Sequence, residues 1–346
     1  MEILISELVQ ARYGERLSAE APDATWVVLH PDGGLTVGGQ PVEPASLAPD
    51  IAFVSNDVFY GPVRACFAML EEWTSLRWVQ SAAAGVEAPV FRTLLDRGTR
   101  LTRAHVTAVP IAEYVMQAVL THFQQPQRWV EQKADREWQH RTFREIWRTT
   151  WLIVGLGAIG GEIAQRAKSF NATVIGVRRT PRGDEPVDEL LSPRDLREHA
   201  PRADVIVLAA PSTDETRHLI DAAMLAAMKP GSMLVNVARG DLVDEDALLA
   251  ALDQGIPEVA VLDVFATEPL PADSPFWNHP RVVMTPHSSG GGEGRVERAV
   301  DVFAENLVLW QRGGDLRHEF TLDDLPSASS TWLSEKLDDR RQSASG

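Results

Sequence analysis

Short apolar runs alternate with amphipathic stretches along most of the chain. The first third carries Ile3-Leu4-Ile5, Trp26-Val27-Val28-Leu29, Ile51-Ala52-Phe53-Val54 and Leu76-Arg77-Trp78-Val79, with a helical pattern at 62–72. From Trp151-Leu152-Ile153-Val154 the pattern restarts and strengthens. Further runs fall at 173–177, 204–209, 232–237, 258–262 and 282–284, and helical spacing fits 158–170, 222–228 and 245–252. Near-continuous apolar strands alternating with helices predict an α/β fold with a parallel sheet buried on both faces. The second block has the spacing of a six-stranded doubly wound domain.

Two long helical stretches bracket that block. Residues 110–123 (PIAEYVMQAVLTHF) open with Pro110, which suits a first helical position. Residues 294–310 carry Val296, Ala299, Val300, Val302, Phe303, Leu307 and Leu309 at helical spacing. The block therefore reads as an insertion into a domain built from both chain ends. The expected boundaries are 1–108 with 290–325 for the first domain and 109–289 for the inserted one. A flexible tail is expected at 326–346, where the chain turns Ser-, Ala- and Asp-rich.

Charge and composition narrow the partners. The 346-residue chain has a formal net charge of -16, which disfavours nucleic acid and anionic membrane surfaces. One cysteine, Cys66, rules out an internal disulfide and fits a reducing compartment. Glu2 and Glu7 stand where a signal peptide would carry bases, and no apolar run reaches the roughly 18 residues of a membrane span. Cytoplasm is the expected location, and no metal cluster is expected.

The strongest local motif is Val154-Gly155-Leu156-Gly157-Ala158-Ile159-Gly160, set between an apolar strand and an amphipathic helix. In that context G-x-G-x-x-G reads as a dinucleotide turn. Gly155 allows the tight turn, Gly157 lets a pyrophosphate approach the backbone, and Gly160 lets helix and strand pack closely. The helix N-terminus then offers N–H groups and partial positive charge to phosphate. The next strand ends in Gly176-Val177-Arg178-Arg179-Thr180-Pro181-Arg182. Arg178 falls where an NAD site usually places the acid that bonds both ribose hydroxyls. Arginine cannot accept those bonds, but it suits a 2′-phosphate, with Arg179 and Thr180 in reach. The competing reading is a solvated basic loop. The expected cofactor is NADP(H), with NAD(H) left open.

Taken in order, the motifs resemble those of the D-isomer-specific 2-hydroxyacid dehydrogenase family. They are Gln80-Ser81-Ala82-Ala83-Ala84-Gly85-Val86, Ile111-Ala112-Glu113-Tyr114-Val115, the glycine turn and 209–216 (AAPSTDET). Then follow Val235-Asn236-Val237-Ala238-Arg239-Gly240, 262–271 (LDVFATEPLP) and Thr285-Pro286-His287-Ser288-Ser289-Gly290. Within the family the chain looks most like the NADP-preferring glyoxylate/hydroxypyruvate reductase branch. The resemblance implies two doubly wound parallel-sheet domains, a Rossmann cofactor domain inserted into a flavodoxin-like substrate domain. It implies reduction of small 2-keto acids to D-2-hydroxy acids, with Arg239, Glu268 and His287 as the catalytic residues. Each suits its task. His287 titrates near neutrality and can donate the carbonyl proton. Glu268 would orient its ring and favour the charged form. Arg239 is a permanent cation for the substrate carboxylate and carbonyl.

The same resemblance implies that backbone N–H groups of Ala84 and Gly85 meet the substrate carboxylate. Ala158 and Ile159 would contact the pyrophosphate, and Asp263 the nicotinamide carboxamide. Ala210, Pro211, Val237, Ala238 and Ser289 would line the cofactor cleft, and Phe59 or Tyr60 the substrate pocket. A homodimer through the tryptophan-bearing segment 124–147 is expected. Two departures stand out: no glycine precedes the first cofactor strand, in Trp147-Arg148-Thr149-Thr150, and 288–294 (SSGGGEG) is unusually glycine-rich. Two alternative functions stay open. One is oxidation of another D-2-hydroxy acid or of phosphite, and the other is a non-catalytic dinucleotide-sensing, corepressor-like protein.

Overall fold

A computed structural model of the chain describes residues 1–82 and 88–325. The chain divides into two compact units, one formed by Met1–Val106 with the chain from Glu293 onward, the other by Thr107–Gly292. The tail expected at 326–346 lies outside the described residues.

The first unit holds, in chain order, β1 (Glu2–Ser6), α1 (Glu7–Glu20), β2 (Thr25–Leu29), β3 (Leu35–Val37), β4 (Gln40–Val42), β5 (Ile51–Val54), α2 (Asn56–Tyr60), α3 (Val63–Glu72), β6 (Trp78–Ser81), α4 (Pro89–Asp96) and β7 (Arg100–Arg103). The second holds α5 (Ala108–Gln124), α6 (Gln127–Asp135), β8 (Thr150–Val154), α7 (Ala158–Ser169), β9 (Thr173–Val177), β10 (Glu189–Leu191), α8 (Leu196–His199), β11 (Val205–Leu208), α9 (Ala222–Ala227), β12 (Met233–Asn236), α10 (Glu245–Asp253), β13 (Val259–Leu262) and β14 (Val282–Met284). The chain then returns to the first unit with α11 (Arg295–Gln311) and β15 (Glu319–Phe320).

In the first unit the sheet order is β15-β7-β6-β5-β1-β2-β3-β4. Its inner run β7-β6-β5-β1-β2 is parallel and has the flavodoxin-like order. Alternate residues of these strands enter opposite cores: Ile3 and Ile5 pack with Trp78 and Phe303, while Leu4 packs with Val27 and Phe91. Both faces are dry, which is why these strands read as unbroken apolar runs.

In the second unit all seven strands are parallel, in the order β10-β9-β8-β11-β12-β13-β14. This is the Rossmann order with one strand added beyond the sixth. The sequence pattern predicts six strands. The one it misses is β10, three half-buried residues (ELL) at the sheet edge, too short for any periodicity. Helix α5 also starts earlier than the proline suggested. Thr107 is the N-cap, so Pro110 is the third helical residue. The first backbone bond of the helix is Ile111 N–H to Thr107 C=O, so a proline ahead of it sacrifices no partner. Among the described residues no helix is long and apolar enough to cross a membrane.

Candidate active site

Every parallel strand of the second unit ends at one edge of its sheet, and the candidate residues sit just past those ends. Gly155 follows β8 with a φ of 92°. A Cβ there would lie 2.6 Å from the backbone of Ala210, which follows β11. The turn thus needs glycine for conformation and for room. At Gly160 a Cβ would collide with the carbonyl of Gly155, so helix and strand are packed as closely as the motif implies. Gly157 differs, because a Cβ there would meet nothing within 4 Å. Its glycine is not required by the protein's own packing. Gly157 is also the N-cap of α7, with no side chain bonding to the first turn and no acid in that turn. Open space and a first turn without an acid fit a dinucleotide pyrophosphate.

Arg178 follows β9. Its Nη1 donates to the carbonyl of Leu156, inside the glycine turn, at 3.1 Å. The same atom faces Glu185 Oε1 at 3.4 Å. The Arg178 side chain is 18% exposed and the Glu185 side chain only 5%. Arg179 stands in solvent with Glu215 at 3.6 Å, and Thr180 is exposed. Glu185 is an acid beside Arg178 that the sequence pattern does not reveal, because it lies eight residues past the end of β9, in a loop. The N–H groups of Arg182 and Gly183 donate to its carboxylate at 2.6 and 2.9 Å. These bonds, led by that of Arg182 and helped by the Arg178 charge, hold its carboxyl below the usual range.

The ends of β12, β13 and β14 carry the remaining chemistry. Asn236, buried at the end of β12, brackets the next turn: its Oδ1 accepts from Ala238 N–H at 3.1 Å, and its Nδ2 donates to the Arg239 carbonyl at 2.8 Å. Arg239 Nη1 donates to the Ala238 carbonyl at 2.7 Å. Gly240 then passes so close to the Phe265–Ala266 peptide that a Cβ would overlap it. Glu268 is fixed from its own loop, because its Oε1 accepts from Phe265 N–H at 3.1 Å. Its Oε2 meets His287 Nδ1 at 2.8 Å. Both side chains remain partly open, at 26% for His287 and 22% for Glu268.

His287 has a φ of 49°, a left-handed backbone that histidine adopts more readily than most residues. Asp263 holds it there. The His287 N–H donates to the Asp263 carbonyl at 2.8 Å. The Asp263 carboxylate, 2% exposed, accepts from Ser288 N–H at 2.9 Å and from Ser289 N–H at 3.0 Å. It also accepts from Thr285 Oγ1 at 2.6 Å and from the Ser289 hydroxyl. Thr285 Oγ1 in turn pairs with the Tyr114 hydroxyl of α5 at 3.0 Å.

The structure therefore brings together Glu268 with His287, Asp263 with Ser289, and Gly155 with Ala210. Pro211 follows Ala210 as an exposed residue, while Val237 and Ala238 are buried beside the Arg239 turn. Ala158 and Ile159 form the first turn of α7. The resemblance assigns Asp263 to the cofactor, whereas the bonds seen here tie its carboxylate to the His287 loop. Ala84 and Gly85 lie outside the described residues. Phe59 is turned into the core of the first unit, edge-on to Phe67. Tyr60 is 63% exposed beneath Arg295. Asn236 and Glu185 are the residues that sequence reasoning passes over. Asn236 was visible only as part of a motif, and nothing local marks Glu185. No group of three or more potential metal ligands occurs among the described residues.

Comparison with known proteins identifies the family. Residues 114–289 match the model of the D-isomer specific 2-hydroxyacid dehydrogenase NAD binding domain. The chain is 31% identical to glyoxylate/hydroxypyruvate reductase A of Serratia proteamaculans over 252 residues, 71% of this chain and 80% of that protein. It is 31% identical to D-3-phosphoglycerate dehydrogenase of Methanocaldococcus jannaschii over 265 residues, 75% of this chain but half the length of that relative. A D-isomer specific 2-hydroxyacid dehydrogenase from Xanthobacter autotrophicus Py2, solved with NADPH and MES, superposes with a TM-score of 0.67 at 27% identity, covering 92% of this chain and 97% of that one. With half of the chain matched by the family model, and relatives at this identity across most of its length, the chain belongs to the D-isomer specific 2-hydroxyacid dehydrogenase family.

Proposed function

We propose that the chain is an NADPH-preferring reductase of small 2-keto acids of the glyoxylate and hydroxypyruvate type, producing D-2-hydroxy acids. The observation that carries this reading is the 2.8 Å contact between His287 Nδ1 and Glu268 Oε2. With Nδ1 committed to the carboxylate, proton transfer falls to Nε2. Bound NADPH supplies the hydride that reaches the carbonyl carbon. His287 delivers the proton to the carbonyl oxygen, and in the reverse direction takes it from the hydroxyl. Glu268 keeps the ring in one orientation, itself anchored by Phe265 N–H. Arg239 neutralises the substrate carboxylate and polarises the carbonyl. Asp263 and Asn236 act at one remove, by fixing the backbone that carries His287 and Arg239.

The dinucleotide would lie with its pyrophosphate at Gly157, Ala158 and Ile159, and its adenosine ribose toward Arg178, Arg179 and Thr180. Ala210, Pro211, Val237, Ala238 and Ser289 would flank it. Arginine at position 178 favours a 2′-phosphate over a bare ribose by about 1–3 kcal/mol if the contact is a charge-assisted hydrogen bond. The NADPH bound to the Xanthobacter relative supports this choice. The first unit would serve as the substrate domain. Exposed tryptophans on 124–147, with Trp138 97% and Trp147 51% exposed, support a homodimer through that segment. The acidic chain and single thiol support a cytoplasmic location.

Initial rates with glyoxylate, hydroxypyruvate and pyruvate, each with NADPH and NADH, test the reading, with D-3-phosphoglycerate oxidation as a further arm. Turnover is expected to be best with glyoxylate or hydroxypyruvate and NADPH. Activity confined to D-3-phosphoglycerate, or tight NADPH binding without turnover of any 2-keto acid, would reject it. Light scattering that reports a monomer would remove the dimer.

A further inference from the structure

The basic loop after β9 is not a free run of arginines. Its residues fold around one acid. Glu185 accepts the N–H groups of Arg182 and Gly183 at 2.6 and 2.9 Å, and its Oε1 lies 3.4 Å from Arg178 Nη1. That same Nη1 is tied to the Leu156 carbonyl of the glycine turn. Gly176, in β9, leaves room for both ends of this assembly: a Cβ there would lie 2.5 Å from a Leu156 methyl and 2.9 Å from a Val187 methyl. The loop is therefore closed at both ends by its own contacts. Arg178 is held by these contacts, and Arg179 and Thr180 follow it on the exposed side of the loop.

We infer that Glu185 is a positioning residue for cofactor selectivity, fixing the 178–183 loop so that its cations meet a dinucleotide 2′-phosphate already arranged. The inference rests on the proposal that this loop binds that phosphate. An unrestrained loop would have to be ordered at the moment of binding, which weakens affinity. The bare ribose of NADH makes no use of the loop, so the effect is confined to NADPH.

The test is titration calorimetry of NADPH and NADH with the full-length protein, beside steady-state KM and kcat. Glu185→Ala is expected to raise the NADPH Kd by about tenfold, while the NADH Kd, kcat and the thermal midpoint stay near wild type. Glu185→Gln keeps an acceptor for the Arg182 N–H and is expected to remain within about threefold of wild type. An unchanged NADPH Kd in Glu185→Ala, or equal losses for both cofactors, overturns the inference. Arg178→Ala separates the two levels. If it lowers NADPH affinity and Glu185→Ala does not, only the role of Glu185 fails. If neither NADPH nor NADH binding responds to Arg178→Ala, the phosphate site itself fails, and the inference with it.

Discussion

Removing the Asp263 carboxylate should damage the fold and the chemistry together. In Asp263→Ala the Ser288 and Ser289 N–H groups and the Thr285 and Ser289 hydroxyls lose their acceptor. Each buried donor left without a partner costs about 1–3 kcal/mol. Water entering the vacated space and rotation of the two hydroxyls recover part of this, leaving a net loss of about 3–5 kcal/mol. That is a large share of a typical domain stability of about 5–15 kcal/mol. For a unit of this size it lowers the melting point by about 10 °C. Asp263→Asn should lose less, about 2 kcal/mol, since its amide keeps one oxygen but turns an NH2 toward other donors. The bond from His287 N–H to the backbone of Asp263 survives in both variants, so the histidine stays near Glu268 but is less firmly held. The expected signature is a fall in kcat with little change in the KM for NADPH. Differential scanning calorimetry and initial rates on the same preparations measure both. A melting point within about 2 °C of wild type would refute the reasoning about buried donors. A clear loss of stability at full kcat would refute the link to His287.

Two glycines make a contrasting pair. Gly157→Ala should leave the melting point unchanged while raising the dinucleotide Kd about tenfold or more, whereas Gly240→Ala should lower the unfolding free energy from urea titration by about 3 kcal/mol or more, since its Cβ has no space beside Phe265. Cys66 is fully buried, and burial, with some help from Asp57, pushes its thiol up to about 12. The native protein should therefore be inert to a disulfide reagent at neutral pH and react only after denaturation. Burial, with Arg317 and Arg103 adding to it, holds His318 below its ordinary range, while its ring packs edge-on against His105. As pH falls through about 6.5 the unfolded chain takes up a proton that the folded unit resists, so stability is lost on acidification. His318→Gln should flatten that loss in pH-dependent thermal melts, and an unchanged slope would count against it.

Much of the site was legible because its parts are contiguous. The glycine turn is six residues whose steric demands are met within one strand–helix junction, so the pattern and the geometry coincide. His287 and Glu268 are 19 positions apart and were paired only through the ordered motifs; no spacing rule would have joined them. What stayed hidden depends on tertiary contacts. Glu185 looks like one more acid in an acidic chain until the loop folds around it. The bonds of the Asp263 carboxylate to the backbone of 288 and 289 follow only from the return of the chain after β14. In the fold, β10 was lost because three edge residues carry no periodicity, and α1 because its apolar face is thin, with only Val9, Gly14 and Leu17 buried. Helix α6 buries nothing within the chain, so no apolar stripe marked it.

The role of His287 as proton donor is measured by the kcat of His287→Ala with glyoxylate and NADPH. That kcat should fall by about 10²–10⁴-fold, with NADPH affinity and melting point close to wild type. Full turnover by that variant would contradict that role.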